Sequence, residues 1–540
     1  MTYRKKLIEV SMPLEAINEG IAKENSSRHG HPTSIHVWWA KRPLAACRAI
    51  LFASLVDDPS AHPDKFCTEE EQQAERQRLH DLIGKIEIEE KKGTTEQIVK
   101  GLVSLNSIKA DEDGSSPVIE AAQKEIARCL AWENDREPPI ESKAVKEYLL
   151  RYAPPVYDPF CGRGFIPLEA QRLGIKVRGS DLNPVAVLIA KALIEIPPKF
   201  QGKPPVNPES LKSENINQWR GAQGLTEDVR YYGKWMRDEA EKRIGHLYPQ
   251  VELPKEHGGG KATIIAWLWA RTVKCPNPAC GCQMPLMRSF QLSKKKGKEA
   301  WLDPIIDNSQ TPPIITFEVT TLERKSSEGT VSKKGSICIA CEKPVKLDYI
   351  RHEGKSERMN AQLVAIVAEG NKKRIYLTTN EEHKRIAVSA KPKWKPETDL
   401  PKKALGFRVQ AYGMTKHSHL FTNRQLVALN TFCNLVNEVR DVIKQDADSI
   451  RLHSDNLSPN KEENNAYADA IATYLAFLVD KQADICNTLN RWESKAECPR
   501  NLFNRQAIPM VWDFAEGNPL GSSSGSWSVL VNNLINASSG

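Results

Sequence analysis

The chain of 540 residues has no long apolar run: nothing reaches the roughly 18 consecutive apolar residues that a membrane-spanning helix needs. Its opening, MTYRKKLIEVSMPLEAINEG, is charged and lacks the apolar core of a secretory signal. Twelve cysteines stand at uneven spacings, which in a large chain without an export signal speaks against a disulfide framework. They read as cytosolic thiols with room for one metal site, and the expected compartment is the cytoplasm. No internal repeat is present. The G-x-G-x-x-G fingerprint of nicotinamide-binding turns is missing as well, because Pro167 fills the third glycine slot after Gly164.

What is present supports folded domains. Hydrophobic residues make up 40% of the chain, and its length suits roughly three or four domains. Charge is unevenly divided. Residues 261–420 hold 29 Lys+Arg against 15 Asp+Glu, whereas the remainder holds 47 against 53. A segment with a net +14 suits a polyanion-binding surface. Charge alone fits a solvated lysine-rich surface equally well.

Periodicity and breakers divide the chain further. Residues 1–56 read as helix, loop and helix, and residues 57–150 as a charged helical insertion with a breaker at Asp111–Pro117. Residues 151–200 read as strand (VYDPF), glycine turn, helix, strand (VRGSD) and helix, the opening of a doubly wound sheet. Residues 201–260 form a linker and a helix from about 225 to 245. The cysteine-bearing basic lobe follows at 261–420, with strand-like runs over 360–420, and then a helical region at 421–540 whose C-terminus shows no clear closing element. The fold class expected is α/β.

The turn Asp158-Pro159-Phe160-Cys161-Gly162-Arg163-Gly164-Phe165 follows a strand and opens a helix. Gly162 and Gly164 let the backbone turn tightly and approach a ligand where a Cβ would collide. The helix N-terminus offers N–H groups to an anion such as a methionine carboxylate. Asp181, 23 positions after Asp158 at the end of the second strand, is placed to hold both ribose hydroxyls, with Asn183 beside it. The pair of motifs is far more specific than either alone. Cys161 has no His or Lys partner that would make it a nucleophile.

Cys275-Pro-Asn-Pro-Ala-Cys280 and Cys338-Ile-Ala-Cys341 supply four thiolates on two tight knuckles, a donor set suited to tetrahedral, structural Zn²⁺. Cys282 competes with Cys280 for the first knuckle. Each knuckle precedes a strand-like run (QMPLMRSF; KPVKLDYI), and the long loop between them carries KKKGK at 294–298 and SKK at 332–334. No His or Glu stands at the spacing a catalytic zinc would require.

The turn DPFCGRG resembles the D-P-F-x-G-x-G motif of amino-methyltransferases acting on DNA. The stretch His31-Pro32-Thr33-Ser34-Ile35-His36-Val37-Trp38-Trp39-Ala40-Lys41-Arg42-Pro43 resembles the N-terminal signature of large zinc-ribbon-containing adenine-specific DNA methylases of bacteria and archaea. So do TVKCPNPACGCQMPLMRSF, KKALGFRVQAYGM, LFTNRQLVAL and FNRQAIPMVWDFAE. The resemblance implies a Rossmann-like domain that binds S-adenosylmethionine through Asp158, Phe160, Gly162, Gly164, Asp181 and Asn183. It also implies a zinc ribbon on Cys275, Cys280, Cys338 and Cys341, DNA as partner, and methyl transfer to adenine N6 in restriction-modification or phage defence with other defence proteins. It sets the 31–43 segment against the cofactor pocket. The residues themselves fit either an aromatic wall of His31, His36, Trp38 and Trp39 or a packed helix start with Trp39 in the core.

Such enzymes need a D/N-P-P-Y/F/W motif, whose polar group and carbonyl hold the target amino group and whose ring stacks on the flipped base. The Pro-Pro pairs at 154–155, 197–198 and 312–313 lack both the polar residue before and the ring after, and Asn518-Pro519-Leu520 has no ring. The expectation is a C-terminally truncated chain, with a downstream chain supplying the catalytic strand. Cytosine-N4 or RNA methylation and a non-catalytic cofactor- and DNA-binding subunit are the alternatives.

Overall fold

Several helices begin where a side chain caps them. Thr68 and Glu71 form a reciprocal capping box before Glu69–Ile83, Ser116 caps Pro117–Glu133, and Asn183 followed by Pro184 opens Pro184–Ile194. A computed structural model describes residues 4–26, 31–40, 42–91, 94–106, 116–211, 219–322, 328–371, 373–452, 461–504 and 506–538. The fold is mixed α/β, and the chain divides into two compact units, Met1–Glu227 with Ile535–Gly540, and Asp228–Leu534. The division falls within the linker segment expected at 201–260.

In the first unit, Leu14–Ser26, Leu44–Leu55, Glu69–Ile83, Pro117–Glu133 and Ser142–Tyr152 pack around Phe52, Leu79, Ile126, Leu130 and Leu149. Arg48 and Glu169, both fully buried, form an ion pair at 2.5 Å that ties Leu44–Leu55 to Phe165–Arg172. Arg48 also donates to the Leu102 carbonyl. The segment 57–150 is less purely helical than its sequence suggests, since Lys85–Lys91 and Thr94–Lys100 form an antiparallel hairpin. Of the expected breaker, Asp111–Ser115 lie outside the described residues.

The β-α-β-α unit stands as expected: strands Val156–Asp158 and Val177–Gly179 pair in parallel, with Phe165–Arg172 between them and Pro184–Ile194 after. No wider doubly wound sheet is present among the described residues. Among the described residues these two strands pair only with each other.

The second unit is built on an antiparallel sheet in the order Lys373–Leu377, Asn360–Gly370, Ile264–Lys274, Asp513–Gly517, with Gln283–Leu286 also on the central strand. Ten of the eleven residues of Ile264–Lys274 are buried, so both faces of this strand are covered. Its tryptophans are anchored by polar partners: Trp269 Nε1 donates to Glu516 at 2.9 Å and Trp267 Nε1 to His383 at 3.3 Å. Arg424, wholly buried, lies 4.1 Å from the Trp267 ring and donates to Glu516 through Nε at 3.0 Å and Nη2 at 2.8 Å.

Several local expectations change. The connection between the cysteine knuckles holds the strands Gln291–Ser293, Ala300–Asp307 and Ile314–Thr320, whose own alternation buries Ile315 and Phe317. The run after the second knuckle is a short strand, Pro344–Val345, followed by the helix Leu347–Lys355. A helix, Glu381–Ser389, capped by Asn380, stands among the strand-like runs of 360–420. The last region contains the strand Asp513–Gly517 beside its long helices and closes on the helix Trp527–Ser538, where Trp527 stacks on Phe432.

Candidate functional site

The glycine turn sits at the C-terminal ends of the two parallel strands. Cys161 N–H donates to the Ser180 carbonyl at 2.9 Å and Ser180 N–H to the Asp158 carbonyl at 3.0 Å, which splices the turn onto the second strand's end. Gly162 and Gly164 have φ of +53° and +82°, in the left-handed region that glycine alone enters cheaply. A Cβ on Gly162 would stand 2.9 Å from Trp38 Nε1, and one on Gly164 2.9 Å from Ile194 Cδ1. Gly164 is also the residue that opens Phe165–Arg172, with no side-chain cap on the helix's first turn.

The acidic residues hold this turn. Asp158 Oδ1 accepts from Phe160 N–H at 3.1 Å, and Asp181 accepts from Gly162 N–H at 2.9 Å and Asn183 N–H at 2.9 Å. Asn183 caps the following helix through Val185 N–H. Asp158, Phe160, Gly162, Gly164, Asp181 and Asn183 thus share one connected turn, with the Phe160 ring exposed. Burial, reinforced by the negative charge of Asp158 and Asp181, raises the Cys161 thiol, which disfavours the nucleophilic thiolate.

Part of the 31–43 segment lies on the turn: the Trp38 indole is against Gly162, and Arg163 Nη2 donates to the Trp38 carbonyl. Trp39 is exposed, not core, because the helix it was expected to open begins only at Leu44. His31 is buried beside Glu24, which also accepts from the Leu44 and Ala45 N–H groups at that helix's start. Burial would raise the Glu24 carboxyl, but these hydrogen bonds win and hold it below its ordinary range. Lys41 lies outside the described residues. Glu24 and Arg163 were not singled out from sequence; Arg163's place between two glycines was the signal.

In the second unit, Cys275, Cys280, Cys338 and Cys341 bring their sulfurs within 4.8 Å of one another. Four sulfurs about 2.3 Å from a tetrahedral Zn²⁺ stand about 3.8 Å apart. The observed Cys275–Cys341 and Cys280–Cys338 separations are 3.7 and 3.9 Å, so the residues fit the ion. The Cys338 thiol is held low, first by a hydrogen bond from Cys282 and then by the backbone N–H groups of Cys341 and Ala340. The four cysteines could hold a metal such as zinc. Cys282 does not replace Cys280 in this tetrad, yet it is a fifth buried thiol at 3.5 Å from both Cys280 and Cys338. The lysines of 294–298 and 333–334 are exposed.

Comparison with known proteins is sparse. No helix among the described residues is long and apolar enough to cross a membrane. No curated protein and no solved structure matches the chain. Residues 11–82 match a family described as a protein of unknown function, DUF1156, which covers the segment carrying Trp38.

Proposed function

We propose that this chain is the cofactor-binding and DNA-engaging part of an S-adenosylmethionine-dependent DNA amino-methyltransferase directed at adenine N6. The observation that carries the reading is the joined turn: two left-handed glycines between parallel strands, with Asp181 at the end of the second strand hydrogen-bonded to Gly162. In this reading Asp181 holds the ribose hydroxyls, Gly162 and Gly164 admit the backbone close to the ligand, and Asp158 shapes the turn at the methionine end. The bound cofactor supplies a methyl group activated on a sulfonium. The chain's own contribution is orientation, which lowers the barrier by fixing the reactants rather than by covalent chemistry. The zinc ribbon folds the basic segment 261–420 into a DNA-facing lobe and takes no chemical part.

The 540 residues contain no D/N-P-P-aromatic tetrapeptide, so this reading assigns no residue of the chain to orienting the target amine. The same absence favours a second reading, a cofactor- and DNA-binding subunit without transferase activity of its own. Tritium transfer from labelled S-adenosylmethionine, with DNA and RNA as acceptors, separates the readings. Label in adenine supports the enzyme; cofactor binding and salt-sensitive DNA binding without transfer support the subunit; no cofactor binding at all overturns both.

A further inference from the structure

The glycine turn contains a buried cation with no counter-charge among the described residues. Arg163, between Gly162 and Gly164, is 7% exposed. Its guanidinium lies 4.9 Å from the Phe165 ring centre, and Nη2 donates to the Trp38 carbonyl. Among the described residues Nε and Nη1 have no partner. Burial alone pulls its pKa down to about 10, with no neighbouring charge contributing. The other deeply buried arginines are partnered: Arg48 meets Glu169 at 2.5 Å, Arg424 meets Glu516 at 2.8 Å, and Arg271, which has no carboxylate, donates through Nε to the Val511 carbonyl at 2.8 Å and through Nη2 to Thr488. A buried guanidinium with two open donors is unfavourable unless an anion completes it.

A second feature points the same way. The helix Phe165–Arg172 begins directly after Arg163–Gly164, and its first turn has no side-chain cap. Orphan N–H groups and the positive end of the helix dipole therefore adjoin the unpaired guanidinium. Donors buried this deeply are out of reach of a polymer backbone, which needs exposed ones, and suit the single negative charge of a small carboxylate.

We propose that Arg163 receives the α-carboxylate of the amino-acid end of the cofactor; this rests on the reading of the turn as an S-adenosylmethionine site. Arg163 is then a specificity-determining residue: it makes the site prefer nucleosides that carry a carboxylate over those that do not. The two glycines admit the ligand, Asp181 holds its ribose end, and Arg163 with the uncapped helix start holds its opposite end.

The test is equilibrium dialysis of the full chain against S-adenosylmethionine, its decarboxylated form, and 5′-methylthioadenosine, which lacks the amino-acid portion. The wild type is expected to bind S-adenosylmethionine at least about tenfold more tightly than the decarboxylated form, the discrimination a charge-assisted hydrogen bond supplies. Arg163→Met and Arg163→Gln are expected to bring that ratio close to one while leaving methylthioadenosine binding unchanged, which also reports an intact fold. A wild type without preference for the carboxylate overturns the assignment whatever the variants do. A preference that survives both substitutions overturns it too, and in either case the cofactor reading stands. A wild type that binds none of the three nucleosides overturns the cofactor reading itself, and the role of Arg163 with it.

Discussion

At the level of single residues, positions that had to be glycine or cysteine were legible, because few other side chains do the same job. Gly162 is the clearest case: its positive φ and the nearby Trp38 indole both forbid a Cβ. Gly162→Ala should lower stability by at least about 1 kcal/mol and weaken cofactor binding, read from thermal melts with and without ligand. Cys338→Ser should abolish metal binding measured by elemental analysis, whereas Cys282→Ser should retain one zinc per chain; loss of zinc in Cys282→Ser would show that the fifth thiol is a ligand. Polar groups whose partners lie far away in sequence were not legible. Glu24 reads as one more helix-surface acid until Leu44, Ala45 and His31 converge on it. Asp57 is similar: burial would raise its carboxyl, and His62 and Lys6 hold it low instead. Both carboxyls are lowered on folding, so their stabilising contribution is complete above the ordinary carboxylate range and is lost as pH falls through their folded values. Circular dichroism of the wild type should therefore show stability falling below about pH 4.5, with a shallower acid limb in Glu24→Gln.

At the level of elements, the β-α-β-α segment was legible because its glycine turn, strand residues and helix cap all agree on one geometry. The hairpin Lys85–Lys91 with Thr94–Lys100 was not, because KIEIEEK alternates with glutamates that a charged helix carries equally well. The antiparallel sheet was not legible either: its central strand is apolar on both faces, and that pattern alone cannot tell a buried strand from a buried helix. What fixes that strand is the Arg424–Glu516 pair beneath its tryptophans. Glu516→Gln leaves Arg424 as a buried cation without its carboxylate and should cost about 3–5 kcal/mol, read as a fall in the melting temperature of the unit 228–534.

Over the whole molecule, charge and chemistry are segregated along the chain. The net +14 of residues 261–420 belongs to the unit that holds the cysteine tetrad, while the glycine turn belongs to the other unit. If that segment grips DNA, the logarithm of the affinity should fall linearly with the logarithm of salt concentration, by about 0.9 for each phosphate contacted. Lys294–Lys298 substitutions should reduce that slope without altering nucleoside binding; a slope near zero in the wild type would remove DNA from the partners. The division into units was only coarsely legible, since the strand that completes the second unit's sheet, Asp513–Gly517, comes from a stretch whose strand character shows only once it is paired.

That late strand has a consequence for how the protein is made. Trp269 waits for Glu516, which lies 247 residues further along the chain. At a synthesis rate of about 5–20 residues per second, the edge of the WLW strand stays uncovered for about 12–50 seconds on the ribosome. During that interval a nascent chain displays an open apolar edge, the feature that invites aggregation. A chain that stalls between Arg424 and Glu516 never acquires the carboxylate that neutralises the arginine under its tryptophans. Ribosome-bound intermediates of that length are the substrates on which a holding chaperone would act.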